Sequence, residues 1–339
     1  MAEAIFDGSG SEGFTTFQAS LATVCLTLIS TGVPSIILSS ERFFDASGTL
    51  AFLVACASSF PTPCLEDSVD YRGTRPWAES LIFGVRNGVG GLLQAGGCVR
   101  GVAFDGRQAI LTGVVAMWAT RLGFFLLFRI LREGRDSRFD GIRESPVKFT
   151  VAWVGQLVWV GCCAMPVIWL NSVPAQVFAR FPGFSAFESL GLALALAGFA
   201  VEVVADWQKS KWSREKHERK HDEKFISRGL FSQSRYPHYF GDILFWFGVA
   251  TFAFGSLWRE EVVSALGLPG GVVGGLIVLA LTYISPAFAY FLLTRVSGIP
   301  LSEAKYDRAY GHDENYRVWR HTTPRLVPKI LWFFPRRHE

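Results

Sequence analysis

The sequence predicts an all-α integral membrane protein, a bundle of about seven transmembrane helices. Half of the 339 residues are hydrophobic and 18% are charged, whereas soluble domains carry about 25% charged residues. Apolar runs long enough to cross a hydrocarbon core of about 30 Å recur along the chain. They lack the alternation of β-barrel strands, so they indicate helices. The long runs lie at 17–38, 108–131, 147–170, 184–205, 238–257 and 271–293.

A shorter apolar run at 49–60 leaves the number of spans open. It is either a thin seventh span or the first half of a broken span that continues into 81–99. The first long run follows a segment with three acidic residues and no Lys or Arg. Secretion signals show the opposite charge, so we interpret this run as a retained anchor helix.

Basic residues predict the orientation of the chain in the membrane. Nine Lys and Arg residues lie between positions 209 and 235, and nine more lie between 295 and 337. Cytosolic loops of membrane proteins are enriched in Lys and Arg. We therefore expect cytosolic basic loops, a cytosolic C-terminal tail and an acidic N-terminus on the other side.

A row of arginines begins within the apolar run at 108–131 and continues beyond it, in "MWATRLGFFLLFRILREGRDSRFD" at 117–140. Arg121, Arg129 and Arg132 share one helical face. One interpretation is that these side chains extend to the interface and set the orientation. An arginine as deep as Arg121 needs a partner or a water-filled cavity, and a polyanionic ligand such as a pyrophosphate would suit the whole row.

Two acidic residues, Glu202 and Asp206, lie four positions apart near the predicted cytosolic end of the apolar run at 184–205. This spacing places both carboxyl groups on one helical face. Like charges so close require a partner, a bound donor or a shared proton. Ion pairing to the arginine row and contacts with hydroxyl or amide groups of a ligand are both open interpretations.

The sequence gives no sign of a metal site. His217 and His221 have an HxxxH spacing, but membrane diiron enzymes need several such boxes, and no second one occurs among the six histidines. The six cysteines form no CxxC pair. We interpret the histidine-containing segment as a solvated cytosolic helix, and we expect neither a bound metal nor a nucleic-acid partner.

Four segments together resemble the steroid 5-alpha-reductase superfamily of membrane proteins. The most specific is "FISRGLFSQSRYPHYFGDILFWFG" at 225–248, and the tail "GIPLSEAKYDRAYGHDENYRVWRHTTPRLVP" at 298–328 is similar to the closing block of the family. Residues 118–139 and 198–208 are similar to its earlier blocks. On this resemblance we divide the chain into residues 1–107, an N-terminal transmembrane region with an extramembrane loop, and residues 108–339, a catalytic region.

The resemblance implies a membrane reductase that takes NADPH from the cytosolic side and reduces a carbon–carbon double bond in a lipid. Together with the polar clusters it predicts the cofactor-binding residues Arg121, Arg132, Arg135, Asp206, Arg235, His238, Asp242, Tyr316 and Arg320. It also predicts Tyr239 and Glu202 as catalytic residues. His238 stands where the family has Asn. Trp118 stands where steroid reductases have an aromatic hydroxyl, which argues against a steroid substrate.

The expected reaction adds a hydride to the β carbon of an enone or enoyl lipid and a proton to the α carbon. Tyr239 would donate a hydrogen bond to the carbonyl oxygen, where negative charge develops. The lipid would enter from the bilayer, which is the endoplasmic reticulum membrane if the source is eukaryotic. Two alternatives remain open: a methyltransferase of the isoprenylcysteine or phospholipid type that uses S-adenosylmethionine, and a non-catalytic membrane scaffold.

Overall fold

The computed structural model describes residues 9–61, 104–134, 136–181 and 183–331, and these ranges contain helices and no β-strand. The α-helices are α1 Ser9–Ile37, α2 Phe44–Ser59, α3 Gly106–Glu133, α4 Pro146–Asn171, α5 Ala175–Phe178, α6 Ala186–His217, α7 Pro237–Leu257, α8 Glu260–Ala265, α9 Gly271–Phe291, α10 Gly298–Tyr310 and α11 Glu314–Thr322. A π-helical turn, Leu292–Val296, lies between α9 and α10.

Six of the described helical segments are long and apolar enough to cross a membrane. They are Thr15–Ile37, Gly106–Arg132, Pro146–Asn171, Ala186–His217, Pro237–Leu257 and Gly271–Tyr310. They confirm the predicted multi-pass, all-α membrane fold. The short run at 49–60 forms part of α2, whose 16 residues extend over about 24 Å, less than the thickness of the hydrocarbon core. The expected continuation at 81–99 lies outside the described residues.

The chain divides into two compact units. The first unit comprises residues 1–192 and 249–285, and the second comprises residues 193–248 and 286–339. The division therefore falls within α6, α7 and α9 rather than in loops. The boundary at 107, which rests on sequence resemblance, remains a prediction.

Aromatic side chains fill the core of the first unit, where α2 packs against α1, α3 and α4. Phe52 on α2 meets the rings of Trp118 on α3 and Trp159 on α4 edge to face, with centroids 5.2 and 5.0 Å away. Phe52 and Trp118 are almost fully buried. Such pairs contribute about 0.5–1.5 kcal/mol beyond the area that they bury. The short helix α2 is thus a core element of the first unit.

Polar side chains tie the C-terminal end of α4 to its neighbours. The amide Nε2 of buried Gln108 donates to the carbonyl oxygen of Leu170 at 3.1 Å. The amide Nδ2 of Asn171 donates to Ser59 Oγ at 3.0 Å and to Thr112 Oγ1 at 2.9 Å. These bonds satisfy groups that would otherwise be buried without partners at the end of a helix.

A buried ion pair joins the start of α3 to the start of α6 inside the first unit. Arg107 Nε donates to Glu188 Oε1 at 2.6 Å, and the two residues are 4% and 0% exposed. Arg107 also donates to Asp105 Oδ1 at 3.2 Å and to the carbonyl oxygen of Phe181 at 2.8 Å. Ser256 Oγ donates to Glu188 Oε1 at 2.7 Å. The pair therefore has the additional hydrogen bonds that buried charges require.

In the second unit, two glycines bring α6 and α7 into backbone contact. A Cβ atom added to Gly198 would lie 2.6 Å from the carbonyl oxygen of Gly241. A Cβ atom added to Gly241 would lie 2.6 Å from the backbone nitrogen of Glu202. Small residues allow membrane helices to approach this closely. The crossing places the backbone of Glu202 directly against Gly241.

Candidate functional site

The second unit holds eight of the eleven residues that the sequence assigns to a site. They are Glu202, Asp206, Arg235, His238, Tyr239, Asp242, Tyr316 and Arg320. Arg121 and Arg132 belong to α3 in the first unit. Arg135 lies outside the described residues. Most of the candidate site therefore lies in the second unit.

The segment Ser234 to Asp242, which we call the signature segment, includes the start of α7. Pro237 is the first residue of the helix, where its fixed φ suits helical geometry and its missing N–H is no loss. Ser234 Oγ accepts a hydrogen bond from the backbone nitrogen of Tyr236 at 3.2 Å. Ser234 is completely buried, so its hydroxyl group orients the backbone that enters the helix.

The 323–329 segment of the chain lies along the start of the signature segment. The backbone nitrogen of Arg235 donates to the carbonyl oxygen of Pro324 at 2.9 Å. Ser234 Oγ donates to the carbonyl oxygen of Leu326 at 2.7 Å. The backbone nitrogen of Lys329 donates to the carbonyl oxygen of Gln233 at 3.0 Å. These three bonds fix the C-terminal tail, residues 298–331, to the loop that carries Arg235.

Three aromatic rings of the signature segment lie together. The ring of Tyr239 is stacked with that of Tyr236 at 5.8 Å and lies 4.1 Å from that of His238. Burial raises the pKa of Tyr236, and the negative charge of Glu303 raises it further. The phenol of Tyr236 therefore stays protonated at neutral pH and is available as a hydrogen-bond donor.

Gly298, at the start of α10, fixes the position of the Tyr239 ring. A Cβ atom added to Gly298 would lie 2.9 Å from Tyr239 Cζ and 3.1 Å from Leu293 Cδ2. Real Cβ atoms essentially never come closer than 3.0 Å. The ring that carries the proposed catalytic hydroxyl therefore rests against bare backbone.

We expect Gly298→Ala to displace the Tyr239 ring and to destabilise the protein by about 1–3 kcal/mol, the usual cost of overpacking. In protein labelled with fluorotyrosine, the ¹⁹F resonance of Tyr239, assigned with Tyr239→Phe, should shift. Gly275→Ala is the matched control, because a Cβ atom there would meet nothing within 4 Å. An unchanged Tyr239 resonance in Gly298→Ala would contradict the packing described.

The two acids on α6 are buried in the second unit. Glu202 is 4% exposed and Asp206 is 7% exposed, and both make interactions with neighbouring groups. Their spacing puts them on one face of the helix, and the Gly241 contact lies at the backbone of Glu202. Two carboxyl groups are thus held in a poorly hydrated part of the second unit, beside the helix that carries His238 and Asp242.

Arg235 is held by an acid from the tail. Arg235 Nη1 donates to Glu303 Oε1 at 2.8 Å, and Arg325 Nη2 lies 3.3 Å from Glu303 Oε2. One carboxylate therefore faces two guanidinium groups. The Nε atom of Arg235 is buried and has no hydrogen-bond partner.

Tyr316 and Arg320 converge on a second acid of the tail. The hydroxyl group of Tyr316 donates to Asp307 Oδ1 at 2.8 Å, and Arg320 Nη1 donates to the same oxygen at 2.6 Å. Burial raises the pKa of Tyr316, and the bond to Asp307 adds to the shift. Tyr316 is 2% exposed, whereas the Arg320 side chain is 39% exposed. Of the two, Arg320 is the group more open to a ligand from solvent.

Two arginines of the 117–140 segment, Arg129 on α3 and Arg138 after it, form ion pairs within the first unit. Arg129 Nη2 lies 2.9 Å from Asp45 Oδ2 and 3.2 Å from Asp136 Oδ2. Arg138 Nη2 contacts the same two carboxylate oxygens at 2.6 and 2.5 Å. These pairs bind the segment after α3 to the start of α2.

The remaining arginines of that row have different surroundings. Arg121 is partly buried, and its guanidinium carbon lies 5.3 Å from the centroid of the Phe125 ring. Arg132 is exposed. The arginines of this row therefore lie in different environments and do not form one continuous cationic surface on α3.

The prediction that the histidine-containing segment is a helix is right only in part: α6 ends at His217, and His221 lies beyond the end of the helix. His221 Nε2 lies 3.1 Å from the carbonyl oxygen of Trp212, and the two rings are 5.4 Å apart. Within the described ranges, no group of three or more His, Cys, Asp or Glu side chains is arranged to hold a metal ion.

Sequence reasoning missed several residues that organise the candidate site: Gly298, Glu303, Asp307 and Arg325. Glu303 is 68 positions from Arg235, so no local spacing indicates the pair. The available signal was the similarity of the tail to a family block, which includes Glu303 without naming its partner.

Comparison with known proteins places the chain in a family. No curated protein and no solved structure matches it. The profile of the family described as "Protein of unknown function (DUF1295)" matches residues 92–323, more than half of the chain, including the whole signature segment. The chain therefore belongs to the DUF1295 family of membrane proteins, which is related to the steroid 5-alpha-reductases.

Proposed function

We propose that this protein is a membrane reductase that uses NADPH to reduce a carbon–carbon double bond in a lipid. The observation that carries the proposal is the grouping of eight predicted site residues in one unit of a multi-pass membrane protein. The relation of the family to steroid 5-alpha-reductases supports the same class of reaction. A lipid substrate suits a protein whose helices lie in the bilayer.

The second unit fits an anionic dinucleotide. Two guanidinium groups, on Arg235 and Arg325, face the single carboxylate of Glu303, so this cluster carries a surplus positive charge. The buried Nε of Arg235 has no partner from the chain. Arg320, which is partly exposed and paired with Asp307, is a further guanidinium group in this unit. Guanidinium groups bind phosphate oxygens with two parallel hydrogen bonds.

Roles follow for the other predicted residues of the second unit. Bound NADPH would supply a hydride to the β carbon of the lipid. Asp206, His238 and Asp242 would orient the polar end of the cofactor by hydrogen bonds. Tyr239 would donate to the carbonyl oxygen, and Tyr236, which is stacked on it and stays protonated, adds no negative charge of its own.

Glu202 is the group that we assign to the proton side of the reaction. Addition of a hydride to the β carbon leaves an enolate, which needs one proton at its α carbon. Glu202 is 4% exposed, and its backbone lies against Gly241 of the signature segment, so its carboxyl group is close to the proposed reaction site and shielded from water. Glu202 would hold that proton and regain one from solvent after turnover.

We also propose that the C-terminal tail faces the cytosol, where NADPH is available. The support is the concentration of Lys and Arg between 209 and 235 and between 295 and 337. In eukaryotic cells this arrangement would fit the endoplasmic reticulum membrane.

Titration with NADPH in detergent tests the function directly. NADPH at about 100 times its dissociation constant should stabilise the protein by about 2.7 kcal/mol, measured as a shift of the unfolding transition. Arg235→Gln should reduce the shift, and Arg308→Ala, an exposed arginine on α10, should leave it unchanged. With protein in nanodiscs, enone or enoyl lipids should then cause loss of NADPH absorbance.

Two outcomes of that titration would reject the proposal. A shift with S-adenosylmethionine and none with NADPH would favour a methyltransferase. No shift with either compound would favour a non-catalytic scaffold.

A further inference from the structure

The cluster of Arg235, Glu303 and Arg325 contains two guanidinium groups and one carboxylate. The Arg235 and Glu303 side chains are 11% and 17% exposed, and that of Arg325 is 44% exposed. Arg235 and Glu303, which are partly buried, form a close ion pair, and the guanidinium group of Arg325 is open to solvent. One positive charge therefore remains, and it is accessible from the side of Arg325.

Arg235 also has an unused donor. Its Nε is buried without a hydrogen-bond partner, although its Nη1 is bonded to Glu303. Buried donors in native proteins are rarely left unsatisfied, and one that is needs an explanation such as a bound ion or water. The cost is higher for a charged group. An oxyanion would satisfy this donor and balance the surplus charge at the same time.

The position of both arginines is fixed by the backbone as well as by Glu303. The backbone nitrogen of Arg235 donates to the carbonyl oxygen of Pro324, which directly precedes Arg325. The two guanidinium groups are therefore anchored by one backbone hydrogen bond and one shared carboxylate. The backbone bond keeps Arg235 beside Arg325, so a ligand that replaces the carboxylate does not have to bring the two chain segments together.

We infer that Arg235 and Arg325 form a phosphate-binding subsite in which the Glu303 carboxylate occupies the place of a phosphate oxyanion and competes with it. The ligand class is a phosphate or diphosphate group, and its identification as part of NADPH rests on the proposed function. Glu303 acts as an internal competitor: its carboxylate pairs with both guanidinium groups and must leave them when a phosphate binds.

This arrangement predicts opposite effects for two substitutions. Arg325→Ala removes a guanidinium group from the phosphate, so binding should weaken. Glu303→Gln removes the competing negative charge and keeps a side chain of the same shape, so binding should strengthen. A cluster with a purely structural role predicts a loss of stability for Glu303→Gln and no gain in affinity.

The test measures binding of inorganic pyrophosphate and, separately, of NADPH to the full chain in detergent by calorimetry. Arg325→Ala should weaken pyrophosphate binding about tenfold, as expected for the loss of one charge-assisted contact. Glu303→Gln should tighten it by a few-fold. Arg308→Ala removes an exposed positive charge from the same tail and should leave the affinity within about twofold, since exposed charges are screened.

The binding results test the phosphate subsite and the proposed reductase function independently. Unchanged pyrophosphate affinity in both Arg325→Ala and Glu303→Gln, or equal weakening in Arg325→Ala and Arg308→Ala, would overturn the subsite even if NADPH binds. Pyrophosphate binding with the expected pattern, but no NADPH binding, would keep the subsite and reject the reductase. Failure of the unsubstituted protein to bind pyrophosphate would also overturn the subsite.

Discussion

Arg107→Ala is expected to lower the free energy of unfolding by about 3–5 kcal/mol, the usual cost of removing one partner from a buried ion pair. Arg107 is 4% exposed and its partner Glu188 is completely buried. The substitution leaves a carboxylate in the interior without its guanidinium partner at 2.6 Å. It also removes the bond to the carbonyl oxygen of Phe181 at 2.8 Å.

The loss can be measured by titrating mixed micelles with SDS and following tryptophan fluorescence. Arg180→Ala is the matched control, because Arg180 is an exposed arginine of the same unit, and it should change stability by less than about 0.5 kcal/mol. The double variant Arg107→Ala with Glu188→Gln should be more stable than Arg107→Ala alone, since it has no uncompensated buried charge. A loss below about 1 kcal/mol for Arg107→Ala would show that the pair is not buried as described.

Much of the fold follows from apolar runs in the sequence. The run at 147–170 corresponds to Pro146–Asn171, and the run at 238–257 corresponds to Pro237–Leu257. Membrane spans are predictable at this level because every backbone group must be bonded within the helix, and because the bilayer fixes the length.

Hydropathy did not predict the end of α6, although the charged composition beyond the run predicted a helix that contains His217 and His221. The apolar run ends at 205, whereas the helix continues to His217. The charged extension is stabilised by a loop that folds back on it: Trp212 Nε1 donates to Glu223 Oε2 at 2.7 Å, and Phe231 and Ile226 pack against Ala205. The hydropathy of the sequence does not reveal such tertiary contacts.

The candidate site was predictable in residue type but not in pairing. The sequence identified Arg235 and Tyr316 as candidate residues, but their partners Glu303 and Asp307 emerge from the packing of the tail on the signature segment. The buried pair of Arg107 with Glu188 is separated by 81 positions. Pairings between distant residues depend on how the helices pack, and a single sequence carries no periodic signal for them.

The second large loss of stability is expected for a substitution at the crossing of α6 and α7. We expect Gly241→Ala to destabilise the protein by about 1–3 kcal/mol or more, because the new methyl group must be accommodated in a closely packed contact. Its Cβ atom would lie 2.6 Å from the backbone nitrogen of Glu202 and 2.7 Å from the carbonyl oxygen of Gly198. Backbone atoms cannot rotate away as a side chain could, so the two helices must separate.

The sign of the change in the free energy of unfolding shows whether packing or helix propensity dominates at Gly241. In a helix interior, replacing glycine by alanine normally gains about 1 kcal/mol. Gly161→Ala on α4 is the matched control, since a Cβ atom there meets nothing within 4 Å, and it should be neutral or slightly stabilising. If Gly241→Ala were as stable as Gly161→Ala, the backbone contact would be wrong.

Separation of the helices should also affect the site, because Gly241 lies within the signature segment. His238 and Asp242 are on α7, and the backbone of Glu202 on α6 lies against Gly241, directly before Asp242. Groups that orient a ligand must be held within a fraction of an ångström to be effective. Gly241→Ala should therefore weaken NADPH binding even at temperatures where the variant remains folded. Gly161→Ala should bind NADPH as the unsubstituted protein does, so the comparison isolates the helix crossing as the element that holds the site together.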